Sequence, residues 1–288
     1  LMFVPGHNEK LHQSAAKSEA DIILLDLEDS VLPISNKQMA RDTIKKNIQS
    51  GLFKKHEVFI RINEINSGFL LQDVYQTTIQ GVTGFLYSKT NTAQDITFFD
   101  RLLETIEYEK GFPIGTFKII PILETASSII HANEIAKASL RNVAIGFGSE
   151  DFVSDLGGIR DFDEAQSIFT PRAWVAMVAR ANNLIPIDAA YILIHDLDGL
   201  ERHLKIGRKL GYEGMWLLHP KQNALANKYY SPTPEEIEEA QQIIKLIGEA
   251  EKIDKGVAII NGTFVGPPLV VKAKKILERV VEIKSKIK

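Results

Sequence analysis

The stretch KIIPILE, residues 118–124, is largely apolar until it stops at Glu124. A carboxylate at the end of a buried strand is costly unless something compensates its charge. The same punctuation recurs along the chain. IILLDLE (22–28) contains Asp26, ends in Glu28 and is followed by Asp29. VFIRIN (58–63) carries Arg61 and Asn63, and GFLYS (84–88) is followed by Lys89. GFGSED (146–151) ends in Glu150 and Asp151, and MWLLHP (215–220) carries His219. Taken singly, each has a plain structural reading as a helix cap or a local ion-pair partner. If the apolar runs are parallel strands, however, all of these groups converge on one mouth.

Glu124 and Asp151 close consecutive apolar runs, a placement that suits two carboxylates sharing one ion. A hard divalent cation such as Mg²⁺ is commonly held by one or two carboxylates, with water and substrate oxygens completing its octahedron. There is no HxH or HExxH pattern to favour zinc. The guanidinium of Arg61 offers a fork that matches a substrate carboxylate. The glycines at 146 and 148 allow backbone N–H groups to approach a bound acid. Glu28 and Asp29 read either as direct catalytic groups or as supports that orient Arg61 and water on the ion.

These residues need a scaffold that brings strand ends together. Eight apolar runs recur: MFVP (2–5), IILLDLE, VFIRIN, GFLYS, KIIPILE, VAIGFG (143–148), AAYILI (189–194) and MWLLHP. They are near-continuous rather than alternating, as strands buried on both faces should be. Segments with helical spacing lie between them, among them KQMARDTIKKNIQS, FFDRLLETIEYEK and LERHLKIGRKLG. Strand–helix alternation repeated eight times predicts an α/β fold, a parallel (β/α)8 TIM barrel over residues 1–228, with chemistry at the C-terminal strand ends. Beyond it, residues 229–288 read as a C-terminal helix, a hairpin or loop (GVAIINGTFVGPP) and a basic final helix. This appendage is counted with the same domain.

The 288 residues are 44% hydrophobic and 25% charged, ordinary globular values. A formal net charge of −3 gives no electrostatic case for nucleic acid or an anionic membrane as partner. The chain has no cysteine, which excludes disulfides, thiolate nucleophiles and cysteine-based metal sites and is compatible with a cytoplasmic protein. No run approaches the 18 or so apolar residues of a membrane span. The opening LMFVPGHNEK lacks the pattern of a signal peptide, and a start at Leu1 leaves room for an upstream piece.

In order along the chain stand LMFVPG, LDLEDSV followed by Lys37 and Arg41, FIRIN, LYSKTNT, IIPILETASSI, AIGFGSEDFVSDLG, IPIDAAYI and GYEGMWLLHPKQ. With these blocks in register, the chain resembles the citrate lyase β-subunit-like family, within the HpcH/HpaI aldolases and CoA-ester lyases. The resemblance implies a (β/α)8 barrel assembled as a trimer or hexamer. It implies Mg²⁺ held by Glu124 and Asp151, and Arg61 holding a keto-acid carboxylate. It implies cleavage, or the reverse condensation, of a citryl-, citramalyl- or malyl-CoA-type thioester to acetyl-CoA and a 2-oxo acid. Lys89, Gly148 and Glu150 then fall on the substrate side, Lys89 facing a carboxylate or a CoA phosphate. Two positions depart from the family pattern. Gly266 stands where many relatives carry an aspartate that serves a neighbouring subunit as acid/base, and Met215 stands where a lysine is usual. Glycine cannot move a proton, so a free-acid aldolase and a binding protein remain as alternative readings.

Overall fold

The computed structural model describes residues 1–251, 258–260 and 263–287. Residues 252–257, 261, 262 and 288, including part of the C-terminal loop read from the sequence, lie outside the described residues. Residues Leu1–Ala226 and Asn227–Lys288 form two compact units.

The first unit is built on eight parallel strands: β1 Met2–Pro5, β2 Ile22–Asp26, β3 Glu57–Ile62, β4 Gly84–Tyr87, β5 Lys118–Leu123, β6 Ala144–Phe147, β7 Ile185–Asp188 and β8 Gly214–Met215. Their order in the sheet is their order in the chain. The intervening helices are α1 Glu9–Ala15, α2 Asn36–Gln49, α3 Leu70–Thr77, α4 Ala93–Lys110, α5 Ala126–Ile130, α6 Ala132–Lys137, α7 Ser149–Asp155, α8 Gln166–Ala181 and α9 Leu197–Leu210. Helix boundaries follow local chemistry. The Asp95 side chain accepts from the backbone N–H groups of Asn91 and Thr92 at the start of α4, and Gly111 ends that helix at φ 75°. Helix α10, Asn223–Tyr230, follows β8.

Leu24, Phe59, Leu86, Ile120, Ile122, Ala144, Ile187 and Trp216 form one buried cluster contributed by β2 to β7 and the residue after β8. In a flat sheet β2 and β7 would stand about 24 Å apart at about 4.8 Å per strand. Their side chains share a cluster, so the sheet is curled with this face inward. Phe3 and Trp216, from opposite ends of the strand order, bring their rings to 5.7 Å. The Phe3 N–H donates to Leu217 O at 2.9 Å, and the Leu217 N–H donates to Leu1 O at 2.8 Å.

Two expected strands differ in place. The seventh is Ile185–Asp188, upstream of AAYILI, whose residues run on as a loop. An aspartate in the run disguised it. The Asp188 carboxylate is wholly buried and takes both Nε (2.7 Å) and Nη2 of Arg172 from α8, so its charge is neutralised inside the sheet. Arg172 Nη2 also donates to His203 O. The eighth strand is only Gly214–Met215, although the Trp216 N–H continues the ladder to Asp188 O.

The second unit holds α11 Pro234–Glu251, an antiparallel pair of β9 Ala258–Ile260 with β10 Thr263–Val265, and α12 Pro267–Ile287. Ala240, Ile243 and Ala273 centre its core, with Ile244, Leu269 and Ile276 packed around them. Among the described residues no helix is long and apolar enough to cross a membrane.

Removing Arg172 takes the guanidinium from the buried Asp188 carboxylate. Arg172→Ala should cost about 3–5 kcal/mol of stability, read as a lowered denaturant midpoint; an unchanged midpoint would refute this account of β7. Acid should act on the same cluster. Burial, and then Arg172, push His203 down to about 3, while burial of Asp188 is outweighed chiefly by Arg172, leaving that carboxyl below its ordinary value. The unfolded chain therefore binds a proton at His203 that the fold refuses, beginning near the free histidine pKa of about 6.5. Stability should fall as the pH drops from about 6.5 towards 3, and His203→Gln should flatten the upper part of that fall in a pH series of unfolding curves.

Candidate active site

The C-terminal ends of β2, β3, β5 and β6 meet around a cavity of about 310 Å³. Asp26, Arg61, Glu124, Gly148, Glu150 and Asp151 lie on its lining, together with apolar residues from the first strand and from the segments after β7 and β8.

Asp26, one of the strand-end acids with no role assigned from the sequence, is the hub. Its carboxylate accepts from Arg61 Nε at 2.7 Å and Nη2 at 2.6 Å, from the Glu28 N–H at 2.8 Å, and from the Ser30 N–H and hydroxyl. Burial alone would raise this carboxyl, but Arg61 overrides it and holds it below its ordinary value. One edge of the Arg61 fork is thus already used. The other nitrogen, Nη1, contacts Glu28 Oε2 at 2.9 Å and Asp29 Oδ2 at 3.1 Å, and the guanidinium lies 4.8 Å above the Phe3 ring.

A buried polar brace fixes the loop after β2 behind this cluster. Lys37 Nζ donates to Leu27 O, Glu28 O and Asn63 Oδ1 at 2.6, 2.7 and 2.8 Å. Asn63 Nδ2 donates to Leu27 O and to Asp73 Oδ2, and Asp73 is paired with Arg41 at 2.7 Å. Such a satisfied network rigidifies what it holds.

Glu124 is 4% exposed. Its Oε1 accepts a 2.5 Å hydrogen bond from the backbone N–H of Lys89. Lys89 makes that bond from φ 51°, a left-handed backbone rarely adopted by a residue with a side chain. Its Nζ lies 3.9 Å from Glu28 Oε1, and Lys89 is not on the cavity lining. Gly148 lies against the other side of Glu124. A Cβ there would stand 2.6 Å from Glu124 Cβ and 2.8 Å from its Oε2, which is why the position has no side chain.

The carboxyls are short of compensating charge. Burial, then the Glu28 and Asp151 carboxylates, push Glu124 up to about 8. Burial pushes Glu28 up to about 7 against the pull of Arg61, with Asp29 and Asp26 adding to the rise. Asp151, on the first turn of α7, is raised by partial desolvation of its carboxyl and then by Asp29. Glu28 Oε1 is buried without a hydrogen bond. A cation placed between Glu124 and Asp151 would relieve their two shifts, whereas that of Glu28 comes from its burial and from Asp29 and Asp26. Among the described residues no cluster of three or more His, Asp or Glu side chains is poised to hold a metal by itself. The donor set fits an ion that takes two carboxylates and completes its coordination with water and substrate oxygens, as Mg²⁺ does.

Other expected groups are engaged otherwise. Glu150 lines the cavity but is paired with Arg160 Nε at 2.9 Å and with the Ser149 hydroxyl. His219 Nδ1 accepts from the Lys221 N–H and caps a short turn. Met215 is buried in β8. Gly266 immediately precedes α12 in the second unit, where its carbonyl accepts from the Leu269 N–H at 3.1 Å.

A family model described as HpcH/HpaI aldolase/citrate lyase matches residues 1–220. The chain belongs to this family. It is a carbon–carbon lyase. Citrate lyase subunit beta of Haemophilus influenzae is 32% identical over 97% of this chain and 95% of its own length. The mitochondrial citramalyl-CoA lyase of Mus musculus is 28% identical over 99% of this chain and 87% of its own. Among solved structures, protein CitE from Mycobacterium tuberculosis, in complex with magnesium, acetoacetate and coenzyme A, superposes with TM-score 0.76 at 23% identity, over 96% of each chain. A citrate lyase from Burkholderia xenovorans superposes with TM-score 0.86 at 18% identity, over 98% of this chain and 91% of the other. Both solved structures share the fold of this lyase.

Gly148→Ala should drive the new methyl into Glu124 and loosen the Lys89 turn. Overpacking of this kind costs about 1–3 kcal/mol. Faster hydrogen exchange at the Lys89 amide would report the displaced carboxylate, and unchanged exchange with unchanged stability would contradict the crowding.

Proposed function

We propose that this lyase cleaves, or forms, a citryl-, citramalyl- or malyl-type CoA thioester, giving acetyl-CoA and a 2-oxo acid, with Mg²⁺ held by Glu124 and Asp151. The observation that carries the reading is the pair of raised carboxyls, Glu124 and Asp151, beside a partly engaged arginine on one cavity lining. We also propose that the curled sheet is a closed (β/α)8 barrel. The Phe3–Leu217 and Leu217–Leu1 hydrogen bonds support closure between its first and last strands.

When bound, the cation supplies Lewis acidity to the oxygen that is or becomes the oxo-acid carbonyl. The protein's own groups do the rest. Arg61 binds the substrate carboxylate through its Nη1 side, because Asp26 holds the Nε–Nη2 edge. Asp29, exposed and at the longer of the two Nη1 contacts, is the partner that yields to the substrate. In cleavage the hydroxyl loses its proton, the O–H electron pair becomes the new carbonyl, and the carbon–carbon bond breaks. Its electron pair passes to the thioester enolate, which takes up that same proton to become the acetyl methyl. Glu28, off the cavity lining but 2.9 Å from Arg61 Nη1, takes the hydroxyl proton of a substrate held on that nitrogen and returns it; its Oε1 has no hydrogen bond and lies 3.9 Å from the Lys89 ammonium. Gly148 leaves room beside Glu124, Lys89 fixes that carboxylate through its backbone, and Glu150 with Arg160 borders the thioester side. Assembly as a trimer or hexamer, implied by the resemblance, would be read by light scattering on the same preparation.

The test is release of acetyl-CoA and 2-oxo acid from citramalyl-, malyl- and citryl-CoA with Mg²⁺. Glu124→Gln should reduce turnover by at least about 10²–10³-fold, and Arg61→Lys should weaken 2-oxo acid binding by losing the planar fork. If no thioester turns over while Mg²⁺ and a 2-oxo acid still bind, the thioester reading fails and a free-acid aldolase or a binding protein takes its place.

A further inference from the structure

The cavity has two unlike ends. Arg61, Glu124 and Asp151 mark the polar one. Ile122, Ala190, Ile192, Trp216 and Leu218 form an apolar wall on the same lining. Ile192 and Leu218 are 39% and 40% exposed although they border a cavity, so apolar surface is left there for a ligand to cover.

We infer that the 2-oxo acid used by this site is a monocarboxylate with a small apolar group, pyruvate being the simplest, and not a dicarboxylate such as oxaloacetate. The inference rests on the proposed lyase reading and narrows its substrate. Its core is an inventory of donors. Among the described residues that line the cavity, Arg61 is the only cation. One edge of its fork belongs to Asp26, and the remaining side serves the first carboxylate. The nearby Arg160 is engaged by Glu150 and by the Asp161 carbonyl, and it stacks 4.6 Å from the Phe162 ring. Lys89 lies off the lining, with its ammonium towards Glu28.

The neutral side-chain donors on the lining are committed as well, and the backbone N–H groups left at the start of α7, those of Ser149, Glu150 and Asp151, stand beside the Glu150 and Asp151 carboxylates. The Ser30 hydroxyl donates to Asp26 and the Ser149 hydroxyl to Glu150. The Trp216 indole N–H donates to Phe147 O at 3.0 Å, so its side chain brings ring surface and no free donor to the wall. A second carboxylate on the substrate would face either this wall or the carboxylates of Glu150 and Asp151. Both placements are unfavourable, because a charge taken from water needs a partner. A methyl group instead covers apolar surface already present. Hydrogen in that place, as in glyoxylate, leaves the wall uncovered. Specificity would then come from what the site fails to offer the wrong acid as much as from what it offers the right one.

The test uses the full chain with Mg²⁺. Values of kcat/KM are compared for citramalyl-CoA and citryl-CoA, and affinities are measured by calorimetry for pyruvate and freshly dissolved oxaloacetate. Citramalyl-CoA should be preferred by at least about tenfold, with pyruvate bound more tightly than oxaloacetate. Ile192→Arg, which adds a cation to the wall, should shift both preferences towards the dicarboxylate, and Leu218→Lys is a second variant should the first not fold. Equal or better use of citryl-CoA and oxaloacetate by the unaltered chain would overturn this inference and leave the lyase reading standing. Tighter pyruvate binding with no cleavage of any thioester would support the inference and overturn the thioester reading. Binding of neither acid would overturn both.

Discussion

Around Arg61 there are more carboxylates than one guanidinium can neutralise, and much of the first unit's local structure answers that imbalance. Asp26 takes the strongest share through two short parallel bonds. Glu28 and Asp29 divide what is left, and Glu124 receives only a backbone N–H. Like charges this close raise one another's affinity for protons. The surrounding chain holds them together anyway. Lys37 and Asn63 tether the loop that carries Glu28 and Asp29, Lys89 adopts a strained backbone to reach Glu124, and Gly148 gives up its side chain. A fold that stabilised only itself would have little reason to assemble this group.

The apolar sheet makes the imbalance matter. In water, carboxylates a few ångströms apart repel weakly; beside a packed interior the same repulsion is several times larger. The inner cluster built on Phe59, Leu86, Ile120 and Trp216 supplies that interior. Its packing is tight enough to dictate residue type elsewhere: a Cβ on Gly146 would lie 2.0 Å from the Trp216 ring. Trp216 in turn meets Phe3, and Phe3 underlies the Arg61 guanidinium. The aromatic floor and the charged cluster are therefore one structure, with the cation of Arg61 resting on ring faces that favour it.

Much of this was legible in the chain because polar residues that interrupt apolar runs have few other places to be. Arg61, Glu124, Gly148, Glu150 and Asp151 all reach the cavity lining from strand ends or the residues just beyond them. Asp26 stands among the strand-end acids in the sequence, but its role as the partner of Arg61 does not show there, because the pattern gives no hint that a guanidinium will come from the neighbouring strand. Arg160 escaped notice because it lies in an irregular stretch with no period to place it. The seventh strand was displaced for a related reason: the partner that neutralises Asp188 is 16 residues away on a helix. Lys89 was noticed for its charge, yet what it gives Glu124 is a backbone N–H, and a positive φ at a lysine has no signature in residue type. Runs of apolar residues reveal strands; pairings between distant charges become visible only once the strands are laid side by side.

The same surplus of acid bears on the departure at Gly266. A lyase of this kind needs a group that can both accept and return a proton near neutral pH, and an ordinary carboxylate is too weak a base for that. The resemblance read from the sequence implies that many relatives carry an aspartate there for the task. Here the crowding around Arg61 already produces carboxyls lifted into the useful range, Glu28 to about 7 and Glu124 to about 8. A divalent cation would draw on Glu124 and Asp151 for their charge. Glu28 is held by Arg61 through one oxygen only, and its other oxygen remains without a hydrogen bond. In the proposed reading the electrostatic arrangement that makes room for the ion also leaves one carboxyl suited to proton transfer, so a glycine at 266 does not by itself deprive the site of a base.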